Sequence, residues 1–232
     1  MATEAQPRAP LTRDRVLRAA IGLADTAGLE AVTMRNLAHG LGVEAMSLYH
    51  HVSNKEALLD GMVETLVAEV ETEIGGFSVE PAVAEWMAVI RSKILAARRV
   101  MLRHRWAPTL LESRSNMPAQ LMRYFDSMLG IMVEGGFDYD LAHHAMHALG
   151  SRFLGFDQEL FKPNAATPED ANEEMLADLA AHLPYLSAML AEVSHDDPDS
   201  TLGWCDDQSE FEFGLDIVLD GLERRRLAYP GL

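Results

Sequence analysis

Residues 33–51 decide the fold, and they read TMRNLAHGLGVEAMSLYHH. The first half of this segment has apolar side chains at the spacing of one helical face: Met34, Leu37 and Ala38. Gly40 and Gly42 predict that this helix stops in a tight turn. The second half predicts another short helix over residues 44–50, with Leu48 as its inward anchor. Two short helices joined by a tight glycine turn are the plan of a helix-turn-helix.

Helices are also predicted on both sides of this segment. The first helix covers residues 12–28, with Thr12 as its N-cap and apolar residues at helical spacing: Val16, Leu17, Ala20, Ile21 and Ala24. Ser53 followed three residues later by Glu56 is a capping-box pattern, which predicts a fourth helix reaching about Glu73. The alternative for these first helices is a small three-helix bundle that binds nothing.

The rest of the chain continues the helical pattern after Gly75-Gly76. Apolar spacing of three and four recurs and alternating β-branched runs are absent, so the sequence predicts an all-α protein. Six further helices are predicted, over residues 81–105, 106–112, 117–134, 139–161, 169–193 and 208–227.

Composition narrows the class of protein. The chain has 232 residues and a single cysteine, Cys205, which excludes a disulfide framework and a cysteine-rich zinc site and fits a reducing compartment. No apolar run reaches about 18 residues, and residues 1–10 lack the apolar core of a signal peptide. Neither membrane insertion nor export is therefore predicted, and we expect a cytoplasmic location.

Charge is distributed unevenly along the chain. The formal net charge is −17. Residues 1–55 hold six Lys and Arg against five acids, whereas the remaining residues hold 13 against 31. A near-neutral head on a strongly acidic body predicts that the head can approach a polyanion while the body repels it.

Several motifs carry a resemblance to a known family. Residues 33–38, 41–43, 47–52 and 54–59 resemble the DNA-binding head of the TetR family of transcriptional repressors. In the body, Leu149-Gly150, Leu154-Gly155 and residues 211–223 resemble the tetracycline-repressor branch. The resemblance implies a bacterial protein with an N-terminal three-helix helix-turn-helix domain, followed by an all-helical ligand-binding and dimerisation domain.

The domain boundaries follow from this resemblance and from the helical pattern. We expect residues 1–10 to form a disordered arm and residues 11–60 to form the DNA-binding domain. Residues 61–80 would form a connecting helix and linker, and residues 81–232 the ligand-binding and dimerisation domain.

The head is predicted to contact double-stranded DNA. The predicted contact residues are Thr33, Arg35, Ala45, Met46, Ser47, Tyr49, His50, His51 and Lys55. Lys55 lies in the first turn of its helix, where its ammonium and the helix N-terminus both favour a phosphate. Arg35 suits a bidentate contact with guanine, and Ala45 and Met46 suit a thymine methyl group. Tyr49 and His50 resemble the family's pair of backbone-contacting residues.

These assignments have alternatives. Tyr49 could pack between helices, and Arg35 could be a solvated helix charge. His51 is as readily a residue that braces the fold as one that contacts DNA.

A homodimer is predicted, because one head covers only half of a site. Two recognition helices about 34–36 Å apart would read a palindromic operator. The resemblance implies that the last helix and a glycine-containing one build the dimer, and the predicted dimer residues are Gly150, Leu154, Phe211, Leu215, Val218 and Leu222. The alternative is that these residues face the internal core.

A small-molecule inducer is predicted to bind the body and release the operator. A body rich in Met and aromatic residues favours a bulky, partly apolar compound. The predicted ligand-binding residues are His104, Trp106, Met122, Phe125, His147, Ser151 and Glu159.

No cofactor is predicted, with one exception that the resemblance implies. Tetracycline repressors hold their drug together with a magnesium ion through a His and a Glu. His104 and Glu159 would correspond to them, and would bind Mg²⁺ only if the inducer is a metal chelate. Glu71 stands where those proteins carry a drug-contacting His, and its carboxylate disfavours tetracycline itself.

Two other functions compete with repression. His143 and His147, four residues apart and close to acids, could serve a metal-dependent enzyme or a ligand-binding helical protein. No nucleophile elbow, phosphate loop or Cys–His pair accompanies them, so no enzyme is predicted. The chain could also be a helical partner protein in which Arg35 and Lys55 have no DNA role.

Overall fold

A computed structural model describes residues 10–74, 85–155, 181–193 and 207–228. Regular structure in these ranges is helical and contains no strand, which confirms the predicted all-α class. The helices are α1 Arg13–Ala27, α2 Met34–Leu41, α3 Ala45–Tyr49, α4 Lys55–Glu73, α5 Trp86–Arg103, α6 Ala107–Glu112, α7 Ala119–Glu134, α8 Tyr139–Gly155, α9 Pro184–Val193 and α10 Asp207–Ala228. None of these described helices combines the length and apolarity needed to cross a membrane.

The helix-turn-helix forms as predicted. The hydroxyl of Thr12 accepts a hydrogen bond from the Arg15 N–H at 3.2 Å and caps α1. The hydroxyl of Thr33 accepts one from the Asn36 N–H at 3.1 Å and caps α2. Gly42 ends α2 in the left-handed conformation, with φ 66° and ψ 38°. This turn favours glycine because a Cβ is unfavourable at such angles.

The start of α4 corrects one prediction. The N-cap is Asn54 rather than Ser53, because the Asn54 side chain accepts a hydrogen bond from the Ala57 N–H at 2.8 Å. The capping box expected from Ser53 and Glu56 is therefore wrong. An Asn caps a helix as well as a Ser does, and using it starts the helix one residue later.

Close packing of α1 against α4 fixes the head on the long helix. A Cβ at Gly61 of α4 would lie 2.7 Å from Cδ2 of Leu17, so the two helices approach where a side chain is missing. Arg13 and Glu64 extend this contact with an ion pair of 2.9 Å. The position of the head therefore follows that of α4.

The chain divides into two compact units at residues 142 and 143, inside α8. In the first unit, α5 to α7 accompany the head, and Trp86 packs edge-on against Phe137 with ring centroids 4.6 Å apart. The helix predicted over residues 106–112 begins at Ala107. The predicted boundary between linker and body at residues 80–81 lies outside the described residues and stays a prediction.

The second unit contains α9 and α10. The helix predicted over residues 169–193 is not continuous, because Leu183 is not helical and Pro184 begins α9. Proline lacks the N–H that an interior helical position donates, but it is favoured at a helix start. The last predicted helix, residues 208–227, is confirmed as α10.

Candidate functional site

The side chains of α3 divide into one anchor and an exposed surface. Leu48 is fully buried and holds the helix against the head, whereas Met46 is 71 % exposed. Tyr49 is 43 % exposed, which is against the alternative that its ring packs between helices. Ala45 and Ser47 are half-buried on the same short helix. An anchored helix with an exposed opposite side is the geometry required to enter a DNA groove.

Exposed cations precede and follow this helix along the chain. Arg35 on α2 and Lys55 at the start of α4 are both exposed, and neither forms an ion pair with a residue in the described ranges. Lys55 directly follows the N-cap Asn54 and is the first residue of α4. The free N–H groups at this end of the helix favour anions, as does the Lys55 ammonium. Cations without a protein partner are available to phosphates or base edges.

The structure allows the remaining predicted residues to contact DNA, but it also gives some of them a role within the head. The hydroxyl of Thr33 accepts its capping hydrogen bond and can still donate its own hydrogen to a phosphate. His50 is exposed at the C-cap of α3, and His51 is half-buried. The bracing alternative for His51 therefore stays open.

His104 and Trp106 lie together, in surroundings that the sequence did not reveal. Nδ1 of the buried His104 lies 2.8 Å from Oδ1 of Asp25 on α1, and its Nε2 lies 3.2 Å from Oε2 of Glu69 on α4. The indole Nε1 of Trp106 donates to the same Asp25 oxygen at 2.6 Å. These contacts connect the chain around α6 to α1 and α4. We call them the Asp25 cluster.

This geometry changes the expected role of His104. The two ring nitrogens are both engaged by carboxylates, so neither is free for a metal ion or an inducer as predicted. Within the described ranges, no group of three His, Cys, Asp or Glu residues could hold a metal ion. Among the described residues, therefore, none completes a magnesium site with His104, and that site stays a prediction. Its predicted partner Glu159 lies outside the described residues.

The other predicted ligand-binding residues do not share one environment. Met122 is exposed and Phe125 is half-buried, both on α7. His147 and Ser151 are exposed on α8. Their role in binding an inducer stays a prediction.

Three basic residues of α5 make contacts within the protein. Arg99 pairs with Glu73 at 2.7 Å, and Arg103 pairs with both Glu73 and Glu69. Lys93 is half-buried, with Nζ 5.1 Å from the ring centre of Tyr124. Burial lowers the pKa of the Lys93 ammonium, and the Glu71 carboxylate opposes that shift.

The histidine group of α8 does not complete a metal site. The rings of His143 and His147 meet edge to face, with centroids 4.6 Å apart, and both residues are exposed. No third ligand joins them among the described residues. The metal-dependent alternative gains no support from this geometry.

The predicted dimer residues on α10 differ in burial. Phe211, Leu215 and Leu222 are buried within the single chain, which favours the alternative that they face the internal core, and their place in a dimer interface stays a prediction. The spacing of these three residues identifies the face of α10 that is buried within the chain, as the core alternative predicts. Phe213 and Ile217 are instead 66 % and 53 % exposed.

The other three predicted dimer residues are not decided by burial. Val218 on α10 and Gly150 on α8 are half-buried. The side chain of Leu154 is outside the described set.

Three residues of these sites were missed by sequence reasoning: Asp25, Glu69 and Arg114. Arg114 follows α6 and pairs with Glu56 and Asp60 on α4. Each partner is more than 50 positions away from Arg114. No local pattern signals such contacts.

A short anchored helix with an exposed face, preceded and followed along the chain by exposed cations, is typical of a DNA-binding helix-turn-helix regulator. The chain belongs to the TetR family. Residues 16–62 match the family model for bacterial regulatory proteins of the tetR family, and residues 80–226 match the tetracyclin repressor-like C-terminal domain. These matches confirm the resemblance seen in the sequence.

Relatives and solved structures agree with this assignment. The chain is 30 % identical to the class A tetracycline repressor from transposon 1721 of Escherichia coli, over 94 % of this chain and 93 % of that protein. It is 28 % identical to the transcriptional repressor DrrR1 of Streptomyces coeruleorubidus, over 94 % and 79 % of the two chains. ActR of Streptomyces coelicolor, solved with actinorhodin, aligns with a TM-score of 0.67 and 27 % identity, covering 97 % of this chain and all of that one. This protein is a transcriptional repressor with a ligand-binding C-terminal domain.

Proposed function

We propose that two copies of this chain bind a palindromic operator and that a bulky, partly apolar small molecule releases them. The observation that carries the DNA assignment is α3 itself. Leu48 anchors the helix, and Met46 and Tyr49 are exposed. Lys55, which has no ion-pair partner among the described residues, follows at the start of α4.

The proposed contacts fall into two kinds. Lys55, Thr33, Tyr49 and His50 bind phosphates and fix the register of the head on the duplex. Arg35 reads guanine through its two-pronged guanidinium, and Ala45, Met46 and Ser47 face the major groove. The acidic body discourages binding in other orientations, because its charge repels the phosphates.

The proposed inducer class rests on composition and on relatives. The body supplies adaptable Met and aromatic side chains, which tolerate large flat molecules. A similar structure, ActR, is known with bound actinorhodin, and several relatives are named as tetracycline repressors. Release requires that the ligand binds more tightly to a conformation that fits the operator poorly.

Operator binding is tested with a DNA duplex taken from the region upstream of the gene that encodes this chain. Arg35→Ala should weaken binding by about 1–3 kcal/mol and relax preference at one base pair. Arg18→Ala is the matched control, because Arg18 is an exposed α1 arginine already paired with Asp14 at 3.0 Å. If Arg35→Ala retains both affinity and preference, the assignment of Arg35 to the groove is wrong.

Inducer binding is tested by thermal shift with a panel of polycyclic compounds. A compound that binds the folded protein raises its melting temperature by mass action. The same compound should then release the operator duplex. A compound that stabilises the protein and leaves DNA binding unchanged would contradict induction by that class.

A further inference from the structure

Arg114 makes two contacts with the beginning of α4. It lies two residues beyond the end of α6, and its side chain is only 9 % exposed. Its Nη2 lies 2.5 Å from Oε2 of Glu56, and its Nε lies 3.0 Å from Oδ1 of Asp60. The Nε and Oδ1 atoms are not aligned for a hydrogen bond, so this second contact is an ion pair. The guanidinium therefore bridges two carboxylates one helical turn apart.

These carboxylates lie near the proposed phosphate contact at the start of α4. Glu56 is the residue after Lys55 and is 69 % exposed, so it lies beside the proposed phosphate contact. Asp60 is one turn further along α4 and partly exposed. Without a counter-charge, both would repel any phosphate within about one Debye length, which is about 8 Å at physiological salt. They would also oppose the attraction of the helix N-terminus for anions.

Arg114 supplies the positive charge that offsets this repulsion. Its planar fork can hold two carboxylates at once, which the single ammonium of a lysine does less well. Because it is nearly buried, its attraction for Glu56 and Asp60 is screened less by salt than that of an exposed side chain. The contact also joins the chain after α6 to the first turns of α4, directly after the recognition helix.

We propose that Arg114 is a positioning residue for operator binding. It neutralises Glu56 and Asp60 and holds the first turns of α4 so that Lys55 and the helix N-terminus face the DNA backbone. This inference rests on the proposed function, because it requires the start of α4 to lie against phosphates.

The test compares Arg114→Met with Arg123→Met in titrations of the operator duplex at two salt concentrations. Arg123 is an exposed arginine of α7 that bonds Gln120 in its own helix, so its loss removes the same charge elsewhere. Arg114→Met should raise Kd about tenfold in 50 mM salt and about threefold or less in 300 mM, since salt screens carboxylate–phosphate repulsion. Arg123→Met should stay within about twofold of the unaltered protein at both concentrations. A loss for Arg114→Met that is equal at both concentrations indicates structural damage and overturns the proposal.

A rescue variant separates neutralisation from direct contact with DNA. Adding Glu56→Gln and Asp60→Asn to Arg114→Met removes the uncompensated charges and should restore Kd to within about threefold. If the triple variant stays as weak as Arg114→Met, Arg114 acts on DNA directly and the proposal fails. If Arg114→Met does not fold, Glu56→Gln with Asp60→Asn is measured in the protein that keeps Arg114. Binding as tight as or tighter than normal then supports neutralisation, and weaker binding refutes it.

Lys55→Ala distinguishes failure of this inference from failure of the proposed function. If Lys55→Ala weakens binding while Arg114→Met does not, only the role of Arg114 is wrong. If neither weakens binding, the start of α4 does not contact DNA and the proposed interface is wrong.

Discussion

Replacing Asp25 with alanine should destabilise the protein far more than a surface carboxylate change on the same helix. One oxygen of Asp25 lies within hydrogen-bonding distance of both His104 Nδ1 and Trp106 Nε1, at 2.8 Å and 2.6 Å. The residues that carry these nitrogens are both buried. Asp25→Ala therefore removes the shared partner and leaves two buried polar groups without it.

The expected loss follows from the cost of an unsatisfied group. Each buried donor deprived of its acceptor costs about 1–3 kcal/mol. The side chain of Asp25 is itself 31 % exposed, so water can reach part of the vacated space and the loss should lie in the lower half of the range. We expect the free energy of unfolding to fall by about 2–4 kcal/mol. Asp14→Ala breaks only the exposed Arg18 pair and should cost less than about 1 kcal/mol.

Urea unfolding followed by far-UV circular dichroism measures both variants. Protein concentration must be the same in every sample, because the stability of the proposed dimer depends on it. The slope of free energy against urea should be unchanged if only native contacts are lost. Equal and small losses for Asp25→Ala and Asp14→Ala would refute the importance assigned to the Asp25 cluster.

Three further outcomes are expected. Lys55→Ala should weaken binding to all duplexes alike and reduce the slope of log K against log salt by about one, measured by titration at several salt concentrations; a change confined to one sequence would contradict a phosphate role. Gly61→Val should lower stability by about 1–3 kcal/mol in thermal unfolding, because its Cβ would lie 2.7 Å from the buried Leu17 side chain; unchanged stability would mean that α1 and α4 separate easily. Phe213→Glu should weaken the proposed dimer in sedimentation velocity, since this ring is 66 % exposed on α10; Glu212→Gln is the control, and an unaffected dimer would place the interface elsewhere.

Local signals predicted much of the head. The bounds of α1 and α2 follow from Thr12, Thr33 and Gly42, whose capping and turn chemistry operates over only a few residues. The same kind of signal was ambiguous at α4, where Ser53 and Asn54 were both suitable caps and only the folded chain distinguishes them.

Contacts between distant segments could not be predicted. The partners of His104 are Asp25 and Glu69, which lie on two other helices, so its burial and engagement depend on tertiary packing. His104 was predicted to bind an inducer or a metal ion because its position resembles that of a histidine in the tetracycline repressors.

Which face of α10 is buried could not be predicted, for a different reason. Its sequence has apolar residues on two sides, and only the packed structure tells Phe211, which is buried, from Phe213, which is exposed. Periodicity alone does not say which apolar face belongs to the core and which is left for another molecule.

The indole of Trp106 gives the protein an intrinsic optical probe. It is one of three tryptophans in the chain, and its N–H is held by a carboxylate from α1. Indole emission is sensitive to polarity and to neighbouring carboxylates, so replacing Trp86 and Trp204 with phenylalanine would isolate a signal from this junction. Separation of α1 from the chain around α6 would then shift the emission wavelength and change the intensity of Trp106 fluorescence. This movement could be followed in real time without attaching a dye.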